Sequence, residues 1–250
     1  REQMAACYIL EAESEVAVIE TGTNASTRRL LQTFERRGWS PADARYIIVT
    51  HVHLDHAGGA GSLVQACPNA TLLVHPRGLR HMVDPGKLEA GSRAVYGDEI
   101  YEALYGTLVP VPESRAQAMQ DDETASLGNR TLRFIDTPGH AMHHFCVHDS
   151  QTNGWFTGDT FGLSYREFDT ENGAFMIPTT TPVQFDPVAL QASILRLMEV
   201  KPDCMYLTHY GRIDNVGPLA KKILEAVAAL AAIGERFEEN PDRTQKIEAA

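Results

Sequence analysis

The feature that most constrains the fold is a dense run of histidines directly after an apolar segment. Within six residues the chain reads His-Val-His-Leu-Asp-His, which places ligand-type side chains at His51, His53, Asp55 and His56. The preceding residues, Tyr46–Thr50, are β-branched and aromatic and predict a buried strand. Alternate residues of an extended chain point to the same side. We therefore expect His51, His53 and Asp55 to face one cavity, and His56 to join them as the chain turns into a helix.

A bound cation best explains why four ligand-type side chains lie within six residues. Imidazole and carboxylate groups suit zinc, iron or manganese, and the lack of cysteine in the run argues against a structural zinc finger. Without a cation the cluster would be unfavourable, because protonated histidines repel one another and neutral ones need hydrogen-bond partners. The alternative is a solvated loop that contains its histidines by chance, and the position directly after a strand disfavours it.

Further ligand-type residues follow three other apolar, strand-like segments: His140, Asp159 and His209. Side chains at the strand ends of one sheet edge converge in space, and α/β proteins build their sites there. Taken singly, each of these residues has an ordinary interpretation as a turn or buried residue. Together with the histidine run they indicate one site.

The complete pattern resembles that of a known family. The sequence resembles the metallo-β-lactamase-fold superfamily, in chain order, at His51-x-His53-x-Asp55-His56, Gly139-His140, Gly158-Asp159 and His209. The early strand-and-glycine segment of that family resembles Val18–Gly22, although an aspartate is more usual where Glu20 stands. The resemblance covers about residues 16–211. It implies an α/β fold, the αβ/βα four-layer sandwich, in which two β-sheets pack face to face with helices outside.

The resemblance also implies a dinuclear centre. One divalent ion would be held by His51, His53 and His140. The second would be held by Asp55, His56 and His209, and Asp159 would bridge both. Zinc is the expected metal, with iron or manganese as alternatives. Two carboxylates and a bridging hydroxide would leave a net positive charge for an anionic substrate or transition state.

The intact ligand set, with no cysteine in it, resembles the dinuclear hydrolase branch near its glyoxalase II-like and lactonase-like members. This implies hydrolysis of an ester, thioester or lactone by a metal-bridging hydroxide, because divalent ions lower the pKa of bound water from near 16 to about 7. We expect Asp55 also to act catalytically, by orienting the nucleophile or accepting its proton. The chain after His209 lacks the basic extension of glyoxalase II, so a glutathione thioester is not the expected substrate.

Other residues are expected around the ligands. We expect at least one of His143 and His144 to fix the orientation of a ligand. Each of two tyrosines either donates to a developing oxyanion or only packs near the site: Tyr165 and Tyr210. The loops Gly97–Met119 and Phe161–Pro182 are the expected pocket walls. Structural or surface positions are expected for His75, His81 and His148.

Two other functions stay open. The first is a non-haem di-iron or mono-iron protein of the same fold that binds O₂ or NO or acts as an oxygenase. Gas-binding members usually carry glutamate where His53 stands, which disfavours this alternative, whereas mono-iron persulfide dioxygenases share the His-x-His-x-Asp-His string. The second is a nuclease, which the net charge of −11 and the absence of a basic run disfavour. We expect a small-molecule substrate and no nucleic-acid partner.

Composition sets the remaining limits. With 250 residues and 43% hydrophobic content, we expect a single domain over 1–250 that ends in an amphipathic helix at about 215–239. No apolar run reaches the roughly 18 residues of a membrane helix, and Arg1–Leu10 does not resemble a signal peptide. Because the chain begins with arginine, removal of a leader stays open. Four dispersed cysteines favour reduced, buried thiols and a cytoplasmic protein. A homo-oligomer formed through the last helix also stays open.

Overall fold

Residues 4–171, 173–180 and 184–249 are described by a computed structural model. The first of two sheets has its strands side by side in chain order: β1 (Tyr8–Ala12), β2 (Glu15–Ile19), β3 (Ala44–Ile48), β4 (Thr71–Val74) and β5 (Ala116–Ala118). The apolar segments 7–10 and 16–20 predict two strands of a hairpin, and β1 and β2 form it as an antiparallel pair. β2 to β5 run parallel, because the chain returns through helices between successive strands.

The second sheet also keeps chain order: β6 (Thr124–Leu127), β7 (Arg130–Asp136), β8 (Phe145–Asp149), β9 (Gly154–Gly158), β10 (Cys204–Leu207) and β11 (Gly211–Ile213). β9 and β10 pair in parallel, and the other neighbours are antiparallel. As a result β7, β9 and β10 run in the same direction. Their carboxyl ends therefore meet at one edge of the sheet.

The α-helices are α1 (Asn24–Arg37), α2 (Leu54–Ala57), α3 (Ala60–Ala66), α4 (Pro76–Val83), α5 (Gly86–Tyr96), α6 (Asp98–Leu104), α7 (Pro187–Met198), α8 (Val216–Arg236) and α9 (Arg243–Glu248). Short 3₁₀ turns lie at Pro41–Asp43, Glu113–Arg115 and Arg166–Phe168. α7 begins as its sequence predicts, because the side chain of Asp186 accepts from the N–H of Ala189 and Pro187 fills the first helical position.

Three apolar layers hold the sheets and helices together. Between the sheets lie buried side chains from both, among them Ile19, Ile48, Phe134, Val147 and Phe156. The outer face of the first sheet packs on α1, α3 and α4, and that of the second packs on α7 and α8. Each fully buried side chain of this size contributes about 1.5–3 kcal/mol. The order helix, sheet, sheet, helix confirms the αβ/βα sandwich.

Two local sequence patterns give the wrong helix bounds. Asparagine is a favoured N-cap residue, so the sequence predicts a helix capped by Asn24. The N-cap of α1 is instead Thr23, and the Asn24 amide donates to the carbonyls of Tyr105 and Thr107. The sequence also predicts one short helix over 57–66, but α3 covers only 60–66 of it, and residue 57 ends the separate helix α2. A Cβ at Gly59 would lie 2.8 Å from the carbonyl oxygen of Thr23, so the break lets two backbone segments approach closely.

All four cysteines are free thiols: Cys7, Cys67, Cys146 and Cys204. Cys67, Cys146 and Cys204 are buried, as expected, whereas Cys7 is only half-buried. Among the described residues, no helix combines the length and apolar character that crossing a bilayer requires.

Candidate metal centre

The predicted ligands lie together because they follow strand ends at the same edge of the sandwich. His51 follows β3, His140 follows β7, and the next two strands in that direction are followed by Asp159 and His209. The histidine run departs from the expected extended path, since β3 ends at Ile48 and the chain is already helical from Leu54. Asp55 and His56 therefore reach the site from the short helix α2.

Three ring nitrogens form the first donor group. Nε2 of His51 lies 2.9 Å from Nδ1 of His53, and Nε2 of His140 lies 3.1 Å from the same atom. Burial lowers the pKa of His51 and His140, and that of His53 to about 3, so the rings are neutral. Two nitrogens on one tetrahedral zinc, at about 2.1 Å each, would lie about 3.4 Å apart. The spacing therefore suits a single cation.

A second donor group lies beside the first. Oδ2 of Asp55 is 3.6 Å from Nε2 of His56 and 3.5 Å from Nε2 of His209. Burial alone would lower the pKa of His56, but the nearby carboxylates of Asp55, Asp159 and Glu20 raise it to about 10. In the metal-free chain His56 is therefore cationic, so a proton occupies a nitrogen that a metal ion would need.

Asp159 stands between the two groups. Its Oδ2 lies 3.3 Å from Nε2 of His140, whereas its Oδ1 lies 3.4 Å from Nε2 of His56 and 3.3 Å from Nε2 of His209. Burial would raise the pKa of this carboxyl, but the charge of His56 and the close contact with His209 hold it well below its usual range. One oxygen of an ionised carboxylate thus faces each group.

Among the described residues, several buried atoms at the two donor groups have no hydrogen-bond partner, which indicates whether a metal ion suits the site. Both ring nitrogens of His56 and Oδ1 of Asp159 are buried without a hydrogen-bond partner in the described parts of the chain. Such atoms are unfavourable unless a cation or another group satisfies them. Imidazole nitrogens and carboxylate oxygens are the donors that zinc, iron and manganese take. The residues present therefore fit divalent cations, and their assignment as ligands stays a prediction.

Two outward-facing ring nitrogens lie close to oxygen atoms of neighbouring residues. Nδ1 of His209 donates to the carbonyl oxygen of Met4 at 2.7 Å. Nδ1 of His56 faces Oε2 of Glu20 at 3.5 Å, while Oε1 of Glu20 accepts from the N–H of Thr50 at 3.3 Å. Contacts of this kind fix ring orientation and leave Nε2 directed at the centre. The sequence suggested Glu20 only through its place in the early strand.

The two neighbouring histidines contact the centre differently. Nε2 of His144 accepts from the backbone N–H of Asp159 at 3.2 Å, so this ring touches the segment that delivers the carboxylate. His143 lines the cavity, and its Nδ1 accepts from the N–H of Val52 at 3.4 Å. His144 therefore occupies a supporting position and His143 a pocket position.

The two tyrosines lie in an aromatic cluster. The ring centroids of Tyr165 and Tyr210 are 4.8 Å apart, and Tyr165 also packs against Phe168 and Phe175. Among the residues described, neither tyrosine is part of the cavity lining. These ring contacts are packing contacts, and a role of either hydroxyl in stabilising an oxyanion stays a prediction.

A cavity of about 950 Å³ opens beside His53, Asp55 and Asp159. Its walls come mainly from α4 and α5, so the expectation of walls at 97–119 and 161–182 was wrong in its main part. Those loops contribute Tyr105 and Thr180, and residues 181–182 lie outside the described residues. His81, for which a structural or surface position was expected, also lines this cavity. The missed sequence signal was His75-Pro76, in which the histidine side chain caps α4.

Known proteins resemble this chain in both sequence and structure. The sequence profile of the Metallo-beta-lactamase superfamily matches residues 1–209. The metallo-beta-lactamase fold-containing protein ST1585 of Sulfurisphaera tokodaii is 33% identical over 173 residues, which are 68% of this chain and 61% of that protein. A crystal structure of ST1585, from Sulfolobus tokodaii, matches with a TM-score of 0.70 at 28% identity and covers 89% of this chain and 80% of that chain.

Two relatives with named activities match over shorter segments. The N-acyl homoserine lactonase AttM of Rhizobium johnstonii is 33% identical over 107 residues, 43% of this chain and 36% of that protein. The thioesterase pkgB of Emericella nidulans is 28% identical over 145 residues, 54% of this chain and 32% of that protein. The chain thus spans between 32% and 61% of the lengths of these curated relatives. The profile match, together with the shared fold, shows that the chain belongs to the metallo-β-lactamase superfamily.

Proposed function

We propose that the chain is a metal-dependent hydrolase that cleaves an ester, thioester or lactone. The observation that carries this proposal is the meeting of two nitrogen-rich donor groups at the carboxylate of Asp159, beside an open cavity. When bound there, divalent ions supply Lewis-acid polarisation of a carbonyl and make water more acidic. The relatives named a lactonase and a thioesterase support the choice of an acyl carbonyl.

The two aspartates have different environments and, we infer, different roles. The side chain of Asp55 is 39% exposed and lines the cavity, whereas that of Asp159 is 8% exposed. An accessible carboxylate can accept a proton from a water and pass it to solvent or to a leaving group. We therefore assign proton transfer to Asp55, and to Asp159 the task of holding the two donor groups together.

The experiment compares metal-depleted protein with protein reloaded separately with Zn²⁺, Mn²⁺ or Fe²⁺. Substrates of matched size are an ester, a thioester, a lactone and a phosphodiester, and kcat/KM is measured for each. We expect reloading to restore turnover of at least one acyl substrate. Equal turnover without metal, or turnover of the phosphodiester alone, would overturn the proposal.

Iron is the alternative metal, because nitrogen and oxygen donors suit iron as well as zinc. The Fe²⁺-loaded sample tests this alternative. An O₂-dependent visible band in the Fe²⁺-loaded protein, without acyl turnover in any metal form, would replace hydrolysis with an oxygen-binding or oxygenase function. Asp55→Asn gives a further check. We expect it to lower kcat while the first donor group keeps its metal, and Asp136→Asn, outside both donor groups, is the matched control.

A further inference from the structure

The cavity beside the donor groups has one basic wall. Two helices supply it, and its basic side chains are Arg77, Arg80, His81 and Lys87. On α4, positions 77, 80 and 81 lie on one helical face, because side chains three and four residues apart are neighbours. On the opposite face Gly78 and Met82 are buried against the protein. The fold thus turns the basic face of α4 toward the cavity.

The cations of this wall lack acidic partners. Arg77, Arg80 and Lys87 form no ion pair with any residue in the described ranges, and Nε of Arg80 donates to Nε2 of His81 at 3.3 Å. Arg93, farther along α5, differs sharply. It pairs at 2.9–3.3 Å with carboxylates on its own helix and on α6: Glu89, Asp98 and Glu102.

The composition of the chain makes these unpaired cations informative. The chain has 33 acidic residues against 22 lysines and arginines, so carboxylates are abundant elsewhere. Burial, together with the positive charges of Arg80 and Lys87, lowers the pKa of His81. Unpaired like charges on a concave wall repel one another, and an anionic ligand would relieve that repulsion. Arginine forks bind carboxylate and phosphate oxygens with defined geometry.

The rest of the lining indicates what else the ligand contains. The lining also contains four apolar side chains: Val52, Leu54, Leu88 and Val95. The volume of about 950 Å³ lies near the upper end of the range of about 300–1,000 Å³ for small-molecule sites. The cavity therefore has room for a reacting carbonyl, an apolar segment and a charged group in one molecule.

We propose that the substrate is an ester, thioester or lactone whose non-reacting part carries a carboxylate or phosphate group, which Arg77, Arg80 and Lys87 bind. This inference rests on the proposed hydrolase function and specifies the substrate class of the same site. The reaction consumes one water: the acyl carbon gains an oxygen, its bond to sulfur or oxygen breaks, and the leaving thiol or alcohol takes a proton.

The test uses three acyl thioesters with the same acyl group, presented to the metal-loaded protein. Their leaving groups are 3-mercaptopropionate, its neutral methyl ester, and 2-mercaptoethyl phosphate. We expect kcat/KM for at least one anionic thioester to exceed that for the neutral one by about tenfold or more at low salt, because charge-assisted hydrogen bonds are strong. The larger of the two anionic ratios identifies the carboxylate or the phosphate as the bound group. Added salt should reduce the ratio, since these side chains are exposed.

Substitutions show which side chains cause the preference for anionic thioesters. Arg77→Gln, Arg80→Gln and Lys87→Gln should each lower the anionic-to-neutral ratio several-fold, and the triple variant should bring it near one. Arg28→Gln, which removes the same charge from the exposed surface of α1, should leave the ratio unchanged. An inert thioether of 3-mercaptopropionate gives a readout without turnover. Calorimetry should show it binding about tenfold more tightly to the parent protein than to the triple variant.

The outcomes separate the two proposals. Failure to hydrolyse any of the thioesters, esters or lactones overturns the hydrolase proposal. Hydrolysis with an anionic-to-neutral ratio near one, or a ratio that the triple variant does not change, overturns the anionic-substrate inference and leaves the hydrolase proposal intact.

Discussion

The backbone N–H of Asp159 donates to Nε2 of His144 at 3.2 Å, so the position of the central carboxylate depends on a ring outside both donor groups. The other ring nitrogen of His144 lies 2.8 Å from Oγ1 of Thr137. Burial lowers the pKa of His144 well below its ordinary value, so the ring stays neutral and Nε2 keeps its acceptor lone pair. His144 thereby connects the loop after β7 to the end of β9.

Replacing this ring should weaken metal binding without removing a ligand. In His144→Phe the buried N–H of Asp159 loses its acceptor, which lowers the free energy of unfolding by about 1–3 kcal/mol. Supporting residues of this kind typically change metal affinity by about 10–100-fold. Urea unfolding of the metal-free protein and chelator competition measure the two effects. His148→Phe is the control, because His148 hydrogen-bonds to Asn153 away from the centre. Unchanged metal affinity in His144→Phe would contradict a positioning role.

The carboxylate of Asp159 itself should be essential for metal content. We expect Asp159→Ala to lose at least one metal ion per chain and to lose turnover, because the residue faces both donor groups. Asp159→Asn keeps the size and removes the charge, so it shows whether the charge is required. Elemental analysis of the purified variants measures the metal content. Full metal content and activity in Asp159→Ala would refute the bridging assignment.

Much of the fold could be predicted from local patterns. The hairpin β1–β2 and the start of α7 at Asp186 follow from alternation and capping, which depend on neighbouring residues. The segment 76–120 could not be ordered, because distant contacts hold it in place. One such contact is Arg115, whose guanidinium donates to the carbonyls of Val64, Cys67 and Ala70. The short strands β5, β6 and β11 carry too few residues for a clear period.

Some residues of the candidate site could also be predicted from the sequence, and others could not. His51, His140, Asp159 and His209 could be placed together because each follows an apolar strand, and strand ends meet at a sheet edge. The basic wall could not be predicted, since Arg77 and Lys87 share a cavity only when α4 and α5 fold over α2. The extended path expected for Asp55 failed because the chain becomes helical one residue earlier, at Leu54. Local periodicity thus identified the donors but did not give their directions of approach.

The metal-free protein should lose stability in mild acid. Burial lowers the pKa of five histidines: His51, His53, His140, His143 and His144. Unfolding exposes them, so between their folded pKa and about 6.5 the unfolded chain binds more protons than the folded chain. The free energy of unfolding then falls with falling pH, by up to about 1.4 kcal/mol per pH unit for each histidine.

His56 should act in the opposite direction at alkaline pH. The carboxylates around it raise its pKa to about 10. Its stabilising contribution is therefore full below about pH 6.5 and is lost as the pH rises through the range up to its folded pKa. Urea midpoints of the metal-free protein from mildly acidic to alkaline pH measure both slopes. His143→Phe should make the acid slope shallower by about one proton, and a stability that does not vary with pH would contradict both expectations.

Gly158 should tolerate no side chain, because it lies where three segments of the centre meet. Its φ is +49°, and a Cβ there would lie 2.4 Å from Oγ1 of Thr50 and 2.5 Å from Nε2 of His144. The Thr50 hydroxyl contacts Nδ1 of His51 at 3.1 Å, so alanine at Gly158 would displace groups that orient both His51 and Asp159.

We expect Gly158→Ala to lower the free energy of unfolding by about 2–5 kcal/mol, from the left-handed backbone and from overpacking together, and to reduce metal affinity. Gly106→Ala is the matched control, because Gly106 has φ of +60° and a Cβ there would have no atom within 4 Å. In that control the free energy of unfolding should fall only by the cost of the left-handed backbone, about 1–2 kcal/mol, and metal binding should be unchanged. Urea unfolding with metal titration separates the two cases. Equal losses of stability and unchanged metal affinity in both variants would mean that close packing at Gly158 does not position the donor groups.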